Sequence, residues 1–297
     1  MREEMRFGVS TTQVDVTWEE MVKRWRYVET LGFDSVWLAD HFAWFLTPHA
    51  PWYEAWTLLA GLATQTSRIR FGTLITVAAY RNPAFLARQA LTIDHLSQGR
   101  LEIGLGAGVS GEIDPSFSMT DIEDRKTAER VVHFREVVEI VDQLLTNKVS
   151  SYEGHFFQLK DAAMQPQPIQ RPRPPITIAA QRPKMLRIAA RYADTSSRLF
   201  WGPGNLEERV EAVRQGNLLL DECCIKYGRD PVTLRRSLLS LPEGLQTAFG
   251  SVGAFEDEVE RYMDAGINEF ILPYPLNDKH LAVFERIATD AIPKLRS

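Results

Sequence analysis

Three times along this chain a glycine that ends a helical stretch stands directly before a short apolar run: "LGFDSVWL", "QGRLEIGL" and "AGINEFIL". Repeated β/α units produce this pattern, because the glycine terminates the helix and the apolar run is the next buried strand. The intervening segments agree. "MRFGVS" reads as a strand and "TWEEMVKRWRYVETLG" as a helix, with Thr17 and Glu20 spaced as a capping box and a buried stripe of Met21, Trp25 and Val28. Strand "DSVWLAD", helix "YEAWTLLAGLATQT", strand "RIRFGTLIT", a helix opened by Asn82 and Pro83 and closed by Gly99, and strand "RLEIGLG" follow. No hairpin interrupts them, so the strands must run parallel and be joined by helical crossovers.

The alternation breaks between about 109 and 175. There "VSGEIDPSFSMTDIED" reads as a loop, "KTAERVVHFREVVEIVDQLLTN" as a helix, "SSYEGHFFQL" as a small hairpin and "MQPQPIQRPRPP" as an extended lead-in. The units resume with "ITIA" and continue through a short strand at "DTSSRLF" to "NEFILPY" and a final helix. Eight strands and eight helices in 297 residues predict an α/β fold, a (β/α)8 TIM barrel occupying 1–297 as a single domain, with an insertion between strands 4 and 5. A doubly wound sheet is the alternative that the same alternation allows.

"GLGAGVSG" contains G-x-G-x-x-G at Gly106, Gly108 and Gly111, but its context is wrong for a dinucleotide-binding loop. Pro115 stands where the first turns of helix would have to be, and the expected acidic position falls within a helical stretch. Glycines at the end of a strand still permit close approach to the backbone.

Composition narrows the partners. With 44% hydrophobic and 25% charged residues the chain is an ordinary globular one, and its net charge of −5 argues against a nucleic-acid surface. No apolar run is long enough for a secretory leader or a membrane span, which predicts a cytoplasmic protein with no membrane association. The two cysteines, Cys223 and Cys224, are adjacent in a helical stretch and read as structural thiols. No His-x-x-x-His or His-x-His spacing exists, so no metal site is expected and a metal-dependent barrel hydrolase is disfavoured.

In a barrel the residues just past each strand carry the chemistry. They are Ser10, Thr11 and Gln13 after the first strand, Asp40 and His41 after the second, Thr76, Tyr80 and Arg81 after the third, Gly106 to Gly108 after the fourth, and Gln181, Arg182 and Lys184 after the fifth.

The blocks "GFDSVWLADHF", "SRIRFGTLITVAAYRNPAFLARQALTIDHLSQGRLEIGLGAG" and "ARYAD" resemble the bacterial-luciferase-like oxidoreductases, and most closely the branch that uses the deazaflavin coenzyme F-420. The resemblance runs over nearly the whole chain and weakens after about residue 195. It implies an isoalloxazine-type ring lying across the strand ends, backed by a non-proline cis peptide at Leu74-Ile75. By position it also implies cofactor contacts at Asp40, Thr76, Gly106, Ala107, Gly108, Ala179, Ala180, Gln181 and Arg182, and acid–base chemistry at His41. Trp44 and Thr11 are implied to face the substrate, and His95 to be structural at a helix end. Histidine suits proton transfer because its pKa lies near neutrality.

Two departures stand out. Val109 replaces the Trp or Glu common in relatives, and "AAQRPKMLRIAARYAD" replaces a glycine-rich phosphate-binding stretch. The expected function is hydride transfer between bound coenzyme F-420 and a small organic substrate. The alternatives are an FMN-dependent two-component monooxygenase and, encouraged by the two departures, a non-catalytic flavin-binding barrel. The resemblance leaves open a separate flavin or coenzyme reductase and a homodimer.

Overall fold

The computed structural model describes residues 5–199, 204–240 and 250–296. The first strands and helices are β1 (Arg6–Ser10), α1 (Trp18–Thr30), β2 (Ser35–Asp40), α2 (Ala55–Ala63), β3 (Arg70–Val77), α3 (Pro83–Leu96) and β4 (Leu101–Gly106). The insertion follows with α4 (Ser116–Thr120), α5 (Thr127–Thr146) and the antiparallel hairpin β5 (Val149–Glu153) and β6 (Gln158–Ala163). Then come β7 (Ile176–Ala179), α6 (Pro183–Tyr192), β8 (Thr195–Leu199), α7 (Leu206–Lys226), β9 (Arg235–Leu239), α8 (Val252–Asp264), β10 (Glu269–Pro273), α9 (Asp278–Arg286) and α10 (Ile292–Arg296). Phe200, the end of the predicted short strand "DTSSRLF", lies outside the described residues.

Among the described residues the eight strands outside the hairpin are parallel, and they close in the order β1-β10-β9-β8-β7-β4-β3-β2. Pairing of Phe7 with Phe270 joins the first strand to the last. That closure excludes the doubly wound sheet, whose edges stay open. It also removes the dinucleotide reading of "GLGAGVSG", since no helix opens on those glycines and the first helix after them begins at Ser116.

Local chemistry explains the element ends. Asn82 Oδ1 accepts from the Ala84 and Phe85 amides, Pro83 occupies the first turn of α3, and Glu54 accepts from the Trp56 and Thr57 amides to start α2. The capping box predicted for α1 is only half formed: Thr17 accepts from the Glu20 amide, but the Glu20 carboxylate goes to Arg24. A complete box occurs instead at Asn205 and Glu208, opening α7. The segment predicted as a loop after β4 contains α4, a turn and a half of helix.

Strand alternation separates two packings. Phe7, Phe71, Ile103, Ile178 and Phe270 point outward and bury against the helices, with Trp25 and Phe255 among the largest fully buried partners. Each such side chain contributes about 1.5–3 kcal/mol. Inside the barrel, Trp37, Leu74 and Ile271 pack together with the half-buried Ile75 and Leu239. Below them, at the amino ends of the strands, the interior is charged: Arg6 Nη2 lies 2.8 Å from Glu102, Arg70 also binds Glu102, and Arg6 Nε lies 3.6 Å from Glu269. Burial pushes the Glu269 carboxyl up to about 6; Arg6 opposes this and Glu102 adds to it. For Glu102, burial is outweighed by Arg6 and Arg70, which hold its carboxyl below the usual range. Among the described residues no helix is long and apolar enough to cross a membrane.

Candidate active site

At the carboxyl ends of the strands the interior becomes small and apolar. The Leu74-Ile75 peptide is cis, as the resemblance implied, and interrupts the regular register of β3 with β4. The Ile75 side chain then lies across Gly106: a Cβ at Gly106 would meet Ile75 Cδ1 at 2.6 Å, with the Ala179 methyl 3.5 Å away. Gly106 is therefore small because Ile75 occupies its space. The result is a low apolar floor of Ile75, Gly106 and Ala179.

Gly108 has a different reason. Its φ is +75°, a region that residues with a Cβ rarely adopt, and a Cβ there would meet Val77 Cγ1 at 2.7 Å. The turn itself requires this glycine, whatever lies against its backbone. Ala107, between the two, is half-buried and packs against the core.

One wall is built around His41. The imidazole Nδ1 lies 2.7 Å from Asp114 Oδ2, and the Tyr80 hydroxyl donates to the same oxygen at 2.5 Å. Asp114 Oδ1 accepts from the Ser116 amide at 2.9 Å. Asp114 is 1% exposed, yet although burial opposes its ionisation, hydrogen bonds from His41, Tyr80 and Ser116 hold its carboxyl far below the usual carboxylate range. Burial and the bond to Asp114 push the Tyr80 phenol well above its ordinary value, so it stays a neutral donor. An ionised carboxylate only accepts; His41 must therefore donate through Nδ1, and Nε2 is left as the ring nitrogen for other partners. Aromatic rings enclose the imidazole. Trp44 meets it edge-on at 6.2 Å, Phe45 lies at 6.0 Å and Tyr80 at 6.4 Å. Trp44 stacks on Trp52 at 5.6 Å, and Trp52 Nε1 donates to the His41 carbonyl.

Several predicted residues spend their polar atoms inside the protein. Both Asp40 oxygens accept from Arg81, at 2.7 and 2.6 Å, and Arg81 also binds Glu54. Thr76 Oγ1 accepts from Trp56 Nε1 and meets Thr73. Thr11 is 1% exposed, with its hydroxyl accepting from Trp25 and donating to the Trp37 carbonyl. Asp40, Thr76 and Thr11, all buried, thus brace the wall from behind. At β7, Ala180 is buried, the Gln181 amide donates to the Leu199 carbonyl, and Arg182 is exposed at the start of α6 without capping it. His95 Nε2 bonds the Gln167 carbonyl, consistent with a structural role. Cys223 and Cys224 are buried free thiols, and no metal-binding cluster occurs among the described residues.

Asp114 was missed from the sequence. The signal available was "DPSF", an acidic residue and proline at a helix start, which marks a turn but not the partner 73 positions away.

A closed parallel barrel whose ionisable groups converge on a histidine at the carboxyl ends of β2, β3 and β4 is the arrangement of a barrel enzyme. The sequence profile of the luciferase-like monooxygenases matches residues 5–220, and the chain belongs to that family. It is 33% identical to the coenzyme F-420-dependent glucose-6-phosphate dehydrogenase of Amycolatopsis mediterranei, over 91% of this chain and 92% of the relative. Two solved structures share the fold at 19% identity: the coenzyme F-420-dependent tetrahydromethanopterin reductase of Methanopyrus kandleri, and a coenzyme F-420-dependent secondary alcohol dehydrogenase. The first has a TM-score of 0.79 and covers 98% of this chain and 99% of its own; the second has 0.81, with 96% and 98%.

Proposed function

We propose that this protein is an oxidoreductase that moves a hydride between a bound deazaflavin, coenzyme F-420, and a small organic substrate at the rim carrying His41. The observation that carries the proposal is the His41–Asp114–Tyr80 arrangement. The likeness to a coenzyme F-420-dependent relative along 91% of the chain supports it. The floor of Ile75, Gly106 and Ala179 suits a planar ring, being apolar and free of side chains that rise from Gly106. Leu74, Ala107, Gly108 and Ala180 would border it, with Asp40 and Thr76 bracing the wall behind, and Gln181 and Arg182 would meet its polar end near the α6 amino terminus. When bound, a deazaflavin supplies a two-electron hydride acceptor or donor.

The chain's own part is proton handling. Asp114 fixes the ring orientation and the Nδ1–H tautomer, so Nε2 takes a proton from a substrate hydroxyl or returns one to a carbonyl. Tyr80 and Ser116 keep Asp114 ionised while it does so. The aromatic rings limit water at the imidazole. His41→Gln is expected to lower kcat roughly 100-fold with the coenzyme Kd within a few-fold of wild type. Unchanged turnover in steady-state assays of coenzyme reduction would reduce His41 to a wall residue.

A further inference from the structure

The segments that follow the eight barrel strands contain few cations. In sequence, residues 11–17, 41–54, 200–205, 240–251 and 274–277 hold no lysine or arginine at all. The stretch after β3 supplies Arg81, the stretch between β4 and α5 supplies Arg125 and Lys126, and the stretch from β7 into the first turn of α6 supplies Arg182 and Lys184. Arg81 is already committed to Asp40 and Glu54. Arg125 pairs with Glu123 and lies over the Phe156 ring beside the hairpin, with Lys126 next to it at the start of α5. Arg182 and Lys184 belong to the end of β7, and β3 and β4 separate that strand from β2, which carries His41. On the His41 side the fixed charges among the described residues are three carboxylates, Asp40, Glu54 and Asp114, against the single cation Arg81, which Asp40 and Glu54 hold.

The same side is also apolar and exposed. The loop after β2 and the insertion are clasped together twice, by His41 on Asp114 and by the Phe42 amide donating to Ser116 Oγ at 3.3 Å. These two segments carry Phe42 at 59% exposure, Leu46 at 62% and Ile113 at 51%, and the loop after β2 also carries the stacked Trp44 and Trp52. Single exposed apolar residues are ordinary, but a group of them on two clasped loops beside an ionisable residue marks a binding surface.

We propose that the substrate taken at this rim is a neutral, largely apolar alcohol or carbonyl compound with one oxygen for His41 Nε2, and that phosphorylated and carboxylated substrates are rejected. A phosphate dianion here would lose water without an uncommitted cation to replace it, because Arg81 is already held by Asp40 and Glu54. An apolar body would replace water on the Trp44 and Trp52 faces. This inference rests on His41 marking the substrate side, and it sets the chain apart from its glucose-6-phosphate-oxidising relative.

The test uses two probes, cyclohexanone and glucose 6-phosphate, titrated separately while the His41 imidazole resonances are followed by NMR and assigned with His41→Gln. Protein loaded with coenzyme F-420 is used, after a separate titration shows that the coenzyme saturates. Cyclohexanone is expected to shift the His41 signals saturably, and glucose 6-phosphate to bind at least ~100-fold more weakly. Trp44→Ala should weaken cyclohexanone by ~10-fold. Equal or tighter binding of glucose 6-phosphate overturns the inference, and so does a His41 signal unmoved by cyclohexanone up to its solubility. If the coenzyme fails to saturate, the functional reading fails, and the same two titrations on the unloaded protein still decide the substrate class.

Discussion

Asp114 is buried, held by the Tyr80 hydroxyl and the Ser116 amide, and it acts on the site through His41. Its carboxylate selects which imidazole nitrogen carries the proton, so it is a positioning residue whose loss is felt in turnover. Asp114→Asn keeps the shape but can present an amide N–H to Nδ1, which favours the wrong tautomer. The expected outcome is a fall in kcat of roughly 10- to 100-fold, with substrate KM and coenzyme Kd changed less, and partial recovery in Asp114→Glu. Steady-state kinetics of the three proteins checks this; a purely structural role would move melting temperature and leave the kcat ratio of the two variants near one. His41 was legible from the sequence because it ends a strand in a block with a recognisable family pattern. Asp114 was not, since only folding brings the insertion over β2, and one acidic residue among five in a polar loop has no periodicity to single it out.

At the scale of elements, the β4 end shows how two glycines in one motif answer to different forces. Gly108→Val forces a β-branched residue to φ near +75° and pushes Val77, and should cost about 1–3 kcal/mol whether or not coenzyme is present. Thermal melts of the unloaded protein check it, and an unchanged melting temperature would contradict the conformational assignment. Gly106 differs, because the obstruction is the flexible end of Ile75. The strands themselves were readable, since a parallel barrel needs apolar runs bounded by helix-ending glycines and these occur repeatedly. The short α4 was not readable: its residues Ser116–Thr120 lack an apolar repeat, and the helix forms where Asp114 accepts the Ser116 amide and Phe117 packs on Tyr80. The incomplete cap of α1 has a similar origin, with Arg24 one turn on competing for the Glu20 carboxylate.

For the molecule as a whole, the barrel carries different environments at its two ends, a buried charged cluster at the amino ends of the strands and a small apolar floor beside the His41 wall at the carboxyl ends. The charged cluster gives stability a pH dependence. Glu269 binds its proton more tightly when folded, so its protonated form stabilises fully below about pH 4.3 and that contribution is lost as pH rises through about 6. Glu269→Gln removes the titration. The variant's stability relative to wild type should therefore rise between pH 4 and pH 7, by on the order of 2 kcal/mol, as read by chemical denaturation. A pH-independent difference would show that Arg6 fully compensates the buried charge.

The carboxyl end bears on function, and its small apolar floor beside a fixed imidazole is the basis for assigning a deazaflavin-dependent hydride transfer. Equilibrium titration of the unloaded protein with coenzyme F-420 and with FMN, followed by quenching of tryptophan fluorescence, tests this most directly. The account predicts saturable binding of coenzyme F-420 at least ~10-fold tighter than FMN, a difference of about 1.4 kcal/mol. Tighter binding of FMN, or no saturation with coenzyme F-420, would contradict it.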